Sequence, residues 1–272
     1  MLKYEKCNDI TVGPINKEDK NKDYSKTVKG YNMFPHKTPY VNVFVCAKKN
    51  SGKTSAINKI INETTDKTTC FWIFCSTHSI DDGWRTIIKN LEDNGNVVNC
   101  FDSLLEGKIN VLDTIINDIG NPYRDEEPED KKKEAKSIVK FGEVEKKKKR
   151  KKKKPLVPLH MFIFDDFSTF LRDKSISALV KTHRHLKSSV IISSQYLNDI
   201  QPQCLLQIDI LLCFKSLSEE KLLGIHKSLD LCIDFNKFLD IYRCITEEPY
   251  TFMYLNVRSE EIRQNFNKRI LH

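Results

Sequence analysis

Eight consecutive residues, Ala47, Lys48, Lys49, Asn50, Ser51, Gly52, Lys53 and Thr54, follow directly on the apolar run Val41 to Cys46. After them Ala56, Ile57, Ile60 and Ile61 recur on one helical face. Strand, short loop and helix in immediate succession restrict the chain to a narrow set of α/β architectures. In such a loop, successive backbone N–H groups and the positive end of the helix form a concave cradle for phosphate oxygens. Lys53 is positioned to reach a β- or γ-phosphate, Thr54 to offer a hydroxyl to magnesium, and Gly52 to let the backbone approach closely; Ser55 completes the candidate nucleotide-contacting stretch. The usual pattern G-x-x-x-x-G-K-[ST] has glycine where Ala47 stands, so the turn out of the strand must tolerate a methyl group, the smallest addition possible. A lysine-rich surface turn that happens to contain Gly-Lys-Thr is the competing explanation.

Beyond this loop, short apolar runs alternate with segments of helical spacing. Cys70 to Cys75 is a continuous apolar run, as in a strand buried on both faces. Trp84, Ile87, Ile88 and Leu91 keep the three-four spacing of a helix opened by Asp81 or Asp82 and stopped near Gly95. A strand is predicted at Val97 to Phe101, and Ser103-Leu-Leu-Glu106 reads as a capping box ahead of a helix carrying Leu112, Ile115, Ile116 and Ile119. Further on come a strand His160 to Phe164, a helix from Lys174 to Leu186, and strands at Ser189 to Ser193 and Ile208 to Phe214. Two short helices follow, near Glu219 to Lys227 and around Phe235 to Tyr242, then a strand Tyr250 to Val257. The expected fold is α/β, with a mainly parallel central sheet and helices on both faces. Residues 1–38 show no periodicity and read as an N-terminal arm. Residues 39–272 read as one domain, interrupted at 120–155 by a charged insertion with little to bury.

With 39% hydrophobic and 30% charged residues among 272, a buried core is expected and wholesale disorder is excluded. No apolar run approaches the roughly 18 residues of a membrane span, and residues 1–10 lack an apolar signal core, so membrane insertion and classical secretion are not expected. The net charge is +8, yet Lys146 to Lys154 alone carries nine positive charges, so basicity is confined to one tract. Nine cysteines, an odd number without a C-x-x-C pair, read as reduced thiols packed as small hydrophobes.

Met161-Phe-Ile-Phe-Asp165-Asp166 is an apolar strand ending in two carboxylates, at the edge where parallel α/β sheets bind ligands. Asp165 is assigned to magnesium and Asp166 to orienting the attacking water, although Asp166 could instead cap the next helix. The strand Ser189 to Ser194 ends at Gln195, which could touch both a γ-phosphate and the nucleophilic water. Phosphate loop, Asp-Asp strand and Gln-terminated strand occur in that order and support one another.

These segments, AKKNSGKT, FIFDDFST and above all Arg184-His185-Leu-Lys-Ser-Ser-Val-Ile-Ile-Ser-Ser-Gln195-Tyr196, resemble the DNA-packaging ATPases of poxviruses and other large DNA viruses, in the FtsK/HerA branch of P-loop motors. The similarity runs from about residue 40 to about residue 256. It implies a RecA-like P-loop NTPase fold with an additional strand, and hydrolysis of ATP with Mg2+ coupled to translocation of double-stranded DNA into capsids. It also implies a homo-oligomeric ring, capsid proteins as partners, and location in the virion or the host cytoplasm. Relatives tend to carry an arginine before the strand that follows the glutamine; this chain has Cys204-Leu-Leu-Gln207 there, which makes Arg184 the candidate arginine finger.

The tract Lys146 to Lys154 could neutralise several DNA phosphates irrespective of sequence; a localisation-like signal or compositional drift would leave the same trace. His183 and His185 flank Arg184, but without a cysteine or carboxylate at ligand spacing a structural role is expected. Two other functional classes stay open: a P-loop kinase or other NTPase, against which stands the lack of an arginine-rich lid, and a DNA-binding scaffold that no longer hydrolyses nucleotide.

Overall fold

The computed structural model describes residues 2–15, 33–34, 39–120, 157–215 and 217–271. The acidic and lysine tracts, and most of the expected arm, lie outside the described residues.

Six strands form the parallel part of one sheet: β2 (Asn42–Cys46), β3 (Cys70–Cys75), β4 (Val98–Phe101), β7 (His160–Asp165), β8 (Ser188–Ser194) and β9 (Ile210–Phe214). They lie side by side in the order β9-β2-β8-β7-β3-β4. Every residue of β2, β8 and β9 is buried; β9 reads as an unbroken apolar run, whereas β2 carries Asn42 and β8 carries serines at both ends of its Val190–Ile192 centre. Side chains alternate between faces. Val43 and Val45 pack with α1 (Lys53–Thr64) and α2 (Asp82–Asp93). Phe44 and Cys46 pack on the other face, with α3 (Val111–Gly120), α4 (Lys174–Thr182), α5 (Pro202–Leu205), α6 (Glu219–Ser228) and α7 (Phe235–Ile245). The expected two-faced α/β sheet is therefore present. Asp81 rather than Asp82 caps α2, accepting from the Trp84 N–H at 2.9 Å.

The sheet continues past β9 with antiparallel strands. β10 (Phe252–Asn256), β11 (Glu261–Gln264) and β12 (Lys268–Leu271) follow, and β1 (Lys3–Lys6) forms the edge, Lys3 opposite Leu271. Residues 3–6 thus join the sheet, although the sequence offers no strand pattern there. All four are exposed, so alternation imposed by burial is missing, and lysines on such an edge discourage further pairing.

The expected capping box at Ser103 does not open a helix. Ser103 Oγ accepts from the Leu105 N–H at 3.0 Å, and Gly107, at φ +62°, reverses the chain between β5 (Leu105–Glu106) and β6 (Ile109–Asn110). Asn110 does the capping instead, its Oδ1 accepting from the Asp113 N–H at 3.1 Å. α4 is also shorter than expected, ending at Thr182, with the chain turning into β8 through Lys187 at φ +52°. No helix among the described residues is long and apolar enough to cross a membrane.

Candidate phosphate-binding site

At the carboxyl ends of the parallel strands, β2 runs out into the loop 47–52. The Ala47 N–H donates to the Ser194 carbonyl at 3.0 Å, which ties the start of the loop to the neighbouring strand. Ala47 is 2% exposed and packs among the apolar residues of the α1 face, so its methyl is accommodated in the core. Asn50 (φ +60°) and Gly52 (φ +92°) both take the left-handed conformation, and Ser51 Oγ donates to the Lys48 carbonyl at 2.7 Å. Left-handed residues inside a tight turn point successive N–H groups to one side, the geometry of an anion nest. No side chain caps α1 and its first turn carries no acidic residue, so the cationic end of the helix is left for a ligand.

Lys53, Thr54 and Ser55 open α1. The Lys53 ammonium reaches across β8 to the end of β7, where its Nζ lies 2.9 Å from Asp165 Oδ1 and also contacts Asp166 Oδ1. Burial pulls the lysine pKa down, but the two carboxylates more than offset this, so the group is held above its ordinary 10.5 and stays charged. Asp165 is 1% exposed, and its Oδ2 accepts from the Trp84 indole N–H at 2.8 Å. Its buried Oδ1 is paired with the Lys53 ammonium. Asp166, in the left-handed region at φ +51°, is more exposed, and its carbonyl accepts from Ser76 Oγ at 3.3 Å. Asp166 does not cap the helix after it; Asp173 caps α4.

Gln195 follows the last residue of β8, exposed, on the same edge; its carbonyl accepts from the Cys46 thiol at 3.7 Å. The structure therefore gathers the loop 47–52, the Asp165–Asp166 pair and Gln195 on one edge of the sheet. Arg184 is not among them. It precedes β8 and sits at the amino edge, where it pairs at 2.9 Å with Asp209, a buried carboxylate that also meets Arg258 at 3.0 Å and accepts from the Asn42 N–H at 2.9 Å. Within its own chain Arg184 cannot reach the phosphate loop. His183 is buried beside it, Nδ1 3.1 Å from the Asn42 amide. Among the described residues no group of three or more His, Cys, Asp or Glu could hold a metal by itself.

Sequence reasoning missed two residues of this edge. Trp84 reads as an ordinary helix-face aromatic, the hint being only that a buried indole N–H needs an acceptor. Tyr250 reads as the first residue of a strand, yet it lies in the turn before β10 with φ +60° and its ring against Gly52.

No protein-family model and no curated protein matches the chain. Solved structures do. The genome packaging NTPase B204 from Sulfolobus turreted icosahedral virus 2, in complex with AMPPCP, matches with a TM-score of 0.51 and 14% identity over 84% of this chain and 98% of that one. Its complex with sulfate gives 0.51 and 16% over 84% and 96%, and its complex with ATP-gammaS 0.50 and 14% over 84% and 97%. The mostly parallel, helix-covered sheet is thus that of a P-loop NTPase-like fold.

Proposed function

We propose that this protein is an ATP hydrolase that drives double-stranded DNA into viral capsids, built on a RecA-like variant of the fold and working as a homo-oligomeric ring. The observation that carries the reading is the meeting of Lys53 with Asp165 and Asp166 beside an uncapped helix N-terminus. The fold shared with B204, described as a genome packaging NTPase, agrees with it.

Backbone N–H groups from Lys48 to Lys53 hold the β- and γ-phosphates, with Thr54 and Ser55 continuing the contact into α1. When a triphosphate enters, the Lys53 ammonium exchanges its carboxylate partners for phosphate oxygens, which frees Asp166 to accept a proton from the attacking water. Gln195 orients that water. The residues fit a magnesium ion: Asp165 is a buried carboxylate whose Oδ1 meets the Lys53 ammonium that a triphosphate would draw away, and Thr54 stands two residues beyond the Gly52 cap. A bound magnesium would neutralise charge developing on the phosphates, taking its remaining ligands from phosphate and water. Arg184 belongs to the proposal only as a finger acting across a subunit boundary, where it would have to leave Asp209. Capsid proteins as partners, and virion or host cytoplasm as location, follow from the same reading.

Duplex DNA tests it. ATP turnover by the full chain should rise several-fold when duplex DNA is added, and the gain should fade with salt as phosphate contacts are screened. Turnover indifferent to DNA at low salt would remove translocation from the proposal. DNA binding without turnover would favour the scaffold alternative.

A further inference from the structure

Tyr250 stands on the opposite side of the phosphate loop from the acid pair. In the sheet order β10-β9-β2-β8-β7, the loop leaves β2, Asp165 ends β7 two strands to one side, and Tyr250 precedes β10 two strands to the other. Because β10 runs antiparallel to β9, its start and the turn before it lie at the same edge as the phosphate loop. Each flank is about 10 Å from β2 at ordinary strand spacing.

The residue itself is unusual. The residue is 67% exposed, although the ring lies close against the loop: a Cβ placed on Gly52 would meet Tyr250 Cδ1 at 3.4 Å and Phe214 at 3.9 Å. Its backbone sits at φ +60°, a conformation that bulky residues avoid. The turn is held in place from both ends. Lys215 Nζ donates to the Glu247 carbonyl and Thr251 Oγ1 donates to the Glu248 carbonyl at 2.7 Å. An exposed aromatic kept in an unfavourable backbone conformation beside a ligand cradle is not explained by packing.

We propose that Tyr250 is the platform on which the base of a bound purine nucleoside triphosphate stacks. This rests on the nucleotide-binding reading above. With the γ-phosphate directed to Asp165 and Asp166, the chain of phosphates crosses the loop and the ribose and base emerge on the β9–β10 side, where Tyr250 is exposed. Base–aromatic stacking is tolerant of base identity, so the contact adds affinity without choosing strongly between purines.

The test compares two probes, ATP and inorganic tripolyphosphate, which share the phosphates and differ in the base. By calorimetry on the full chain, Tyr250→Ala should weaken ATP about tenfold and leave tripolyphosphate unchanged, while Tyr250→Phe and Tyr250→Trp keep wild-type ATP affinity. Tyr250→Asn, a side chain at ease in the left-handed region, should lose ATP affinity while melting no earlier than wild type. If Tyr250→Ala binds ATP as wild type does, or loses both probes equally, the ring only shapes the loop and the inference is overturned. Wild-type protein that binds tripolyphosphate and ATP with equal affinity also overturns it, leaving the phosphate cradle intact. Wild-type protein that binds neither probe overturns both readings.

Discussion

Lys53 Nζ lies 2.9 Å from Asp165 Oδ1, and these two residues join the first helix of the domain to a strand more than a hundred residues later. The lysine side chain is 13% exposed and the aspartate 2%, so the pair is largely shielded from water. Charges paired in this way depend on each other.

Replacing Lys53 by Met should therefore destabilise the nucleotide-free protein by about 3 kcal/mol, since Asp165 is left buried and charged with the Trp84 indole and no cation. Asp165→Asn keeps the hydrogen bond from Trp84 and should cost no more than about 1 kcal/mol. Urea unfolding of the two variants measures the asymmetry. Equal losses would show that the pair contributes little in this setting.

Trp84 supplies a second handle on the same carboxylate. Trp84→Phe removes the donor to Asp165 and should lower stability by about 2 kcal/mol. With Trp72 replaced by Phe, the fluorescence of Trp84 should change on adding Mg·ATP and stay constant in a protein that also carries Lys53→Met.

Arg184 is exposed on one side and tied to buried Asp209 on the other. Because Arg258 shares that carboxylate, Arg184→Ala and Arg258→Ala should each cost about 1 kcal/mol. If Arg184 also acts across subunits, its removal lowers turnover of the assembled ring by about a thousandfold or more and leaves ATP binding intact. Turnover equal to that of Arg258→Ala would confine it to holding Asp209.

Burial lowers the His183 pKa below its ordinary 6.5, with Arg184 and Arg258 acting in the same direction; the hydrogen bond to the Val180 carbonyl and the charge on Asp209 oppose this. The unfolded chain then takes up a proton more readily than the folded one, so this contribution to stability is complete above about pH 6.5 and is lost as pH falls below it. His160 shares the direction, by burial and by Lys187. The urea midpoint should drop between pH 7.5 and 5.5, and by less in His183→Asn. An unchanged drop in that variant would remove His183 as its source.

The parallel half of the sheet is legible in the sequence because strands covered by helices on both faces carry short apolar runs, such as CFWIFC and MFIF, even where buried serines flank the run in β8. The loop 47–52 stands out for another reason: the residues proposed to bind phosphate are consecutive. What fails to show is whatever depends on distant partners. Lys3–Lys6, exposed throughout, becomes a strand only through Lys268–Leu271, where Ile270 alone is buried. Gly107 turns a capping-box string into a hairpin. Trp84 and Tyr250 acquire meaning from Asp165 and Gly52, and no spacing rule connects them. Arg184, close in sequence to Gln195, ends on the opposite edge because a whole strand separates them.

Steady-state ATP hydrolysis with magnesium, measured on wild type, Lys53→Ala and Asp166→Asn, bears most directly on the site. Wild type should turn over ATP, Lys53→Ala should fail to bind it, and Asp166→Asn should bind normally but hydrolyse it at least about a hundredfold more slowly. Lys53→Ala hydrolysing at the wild-type rate would contradict the account.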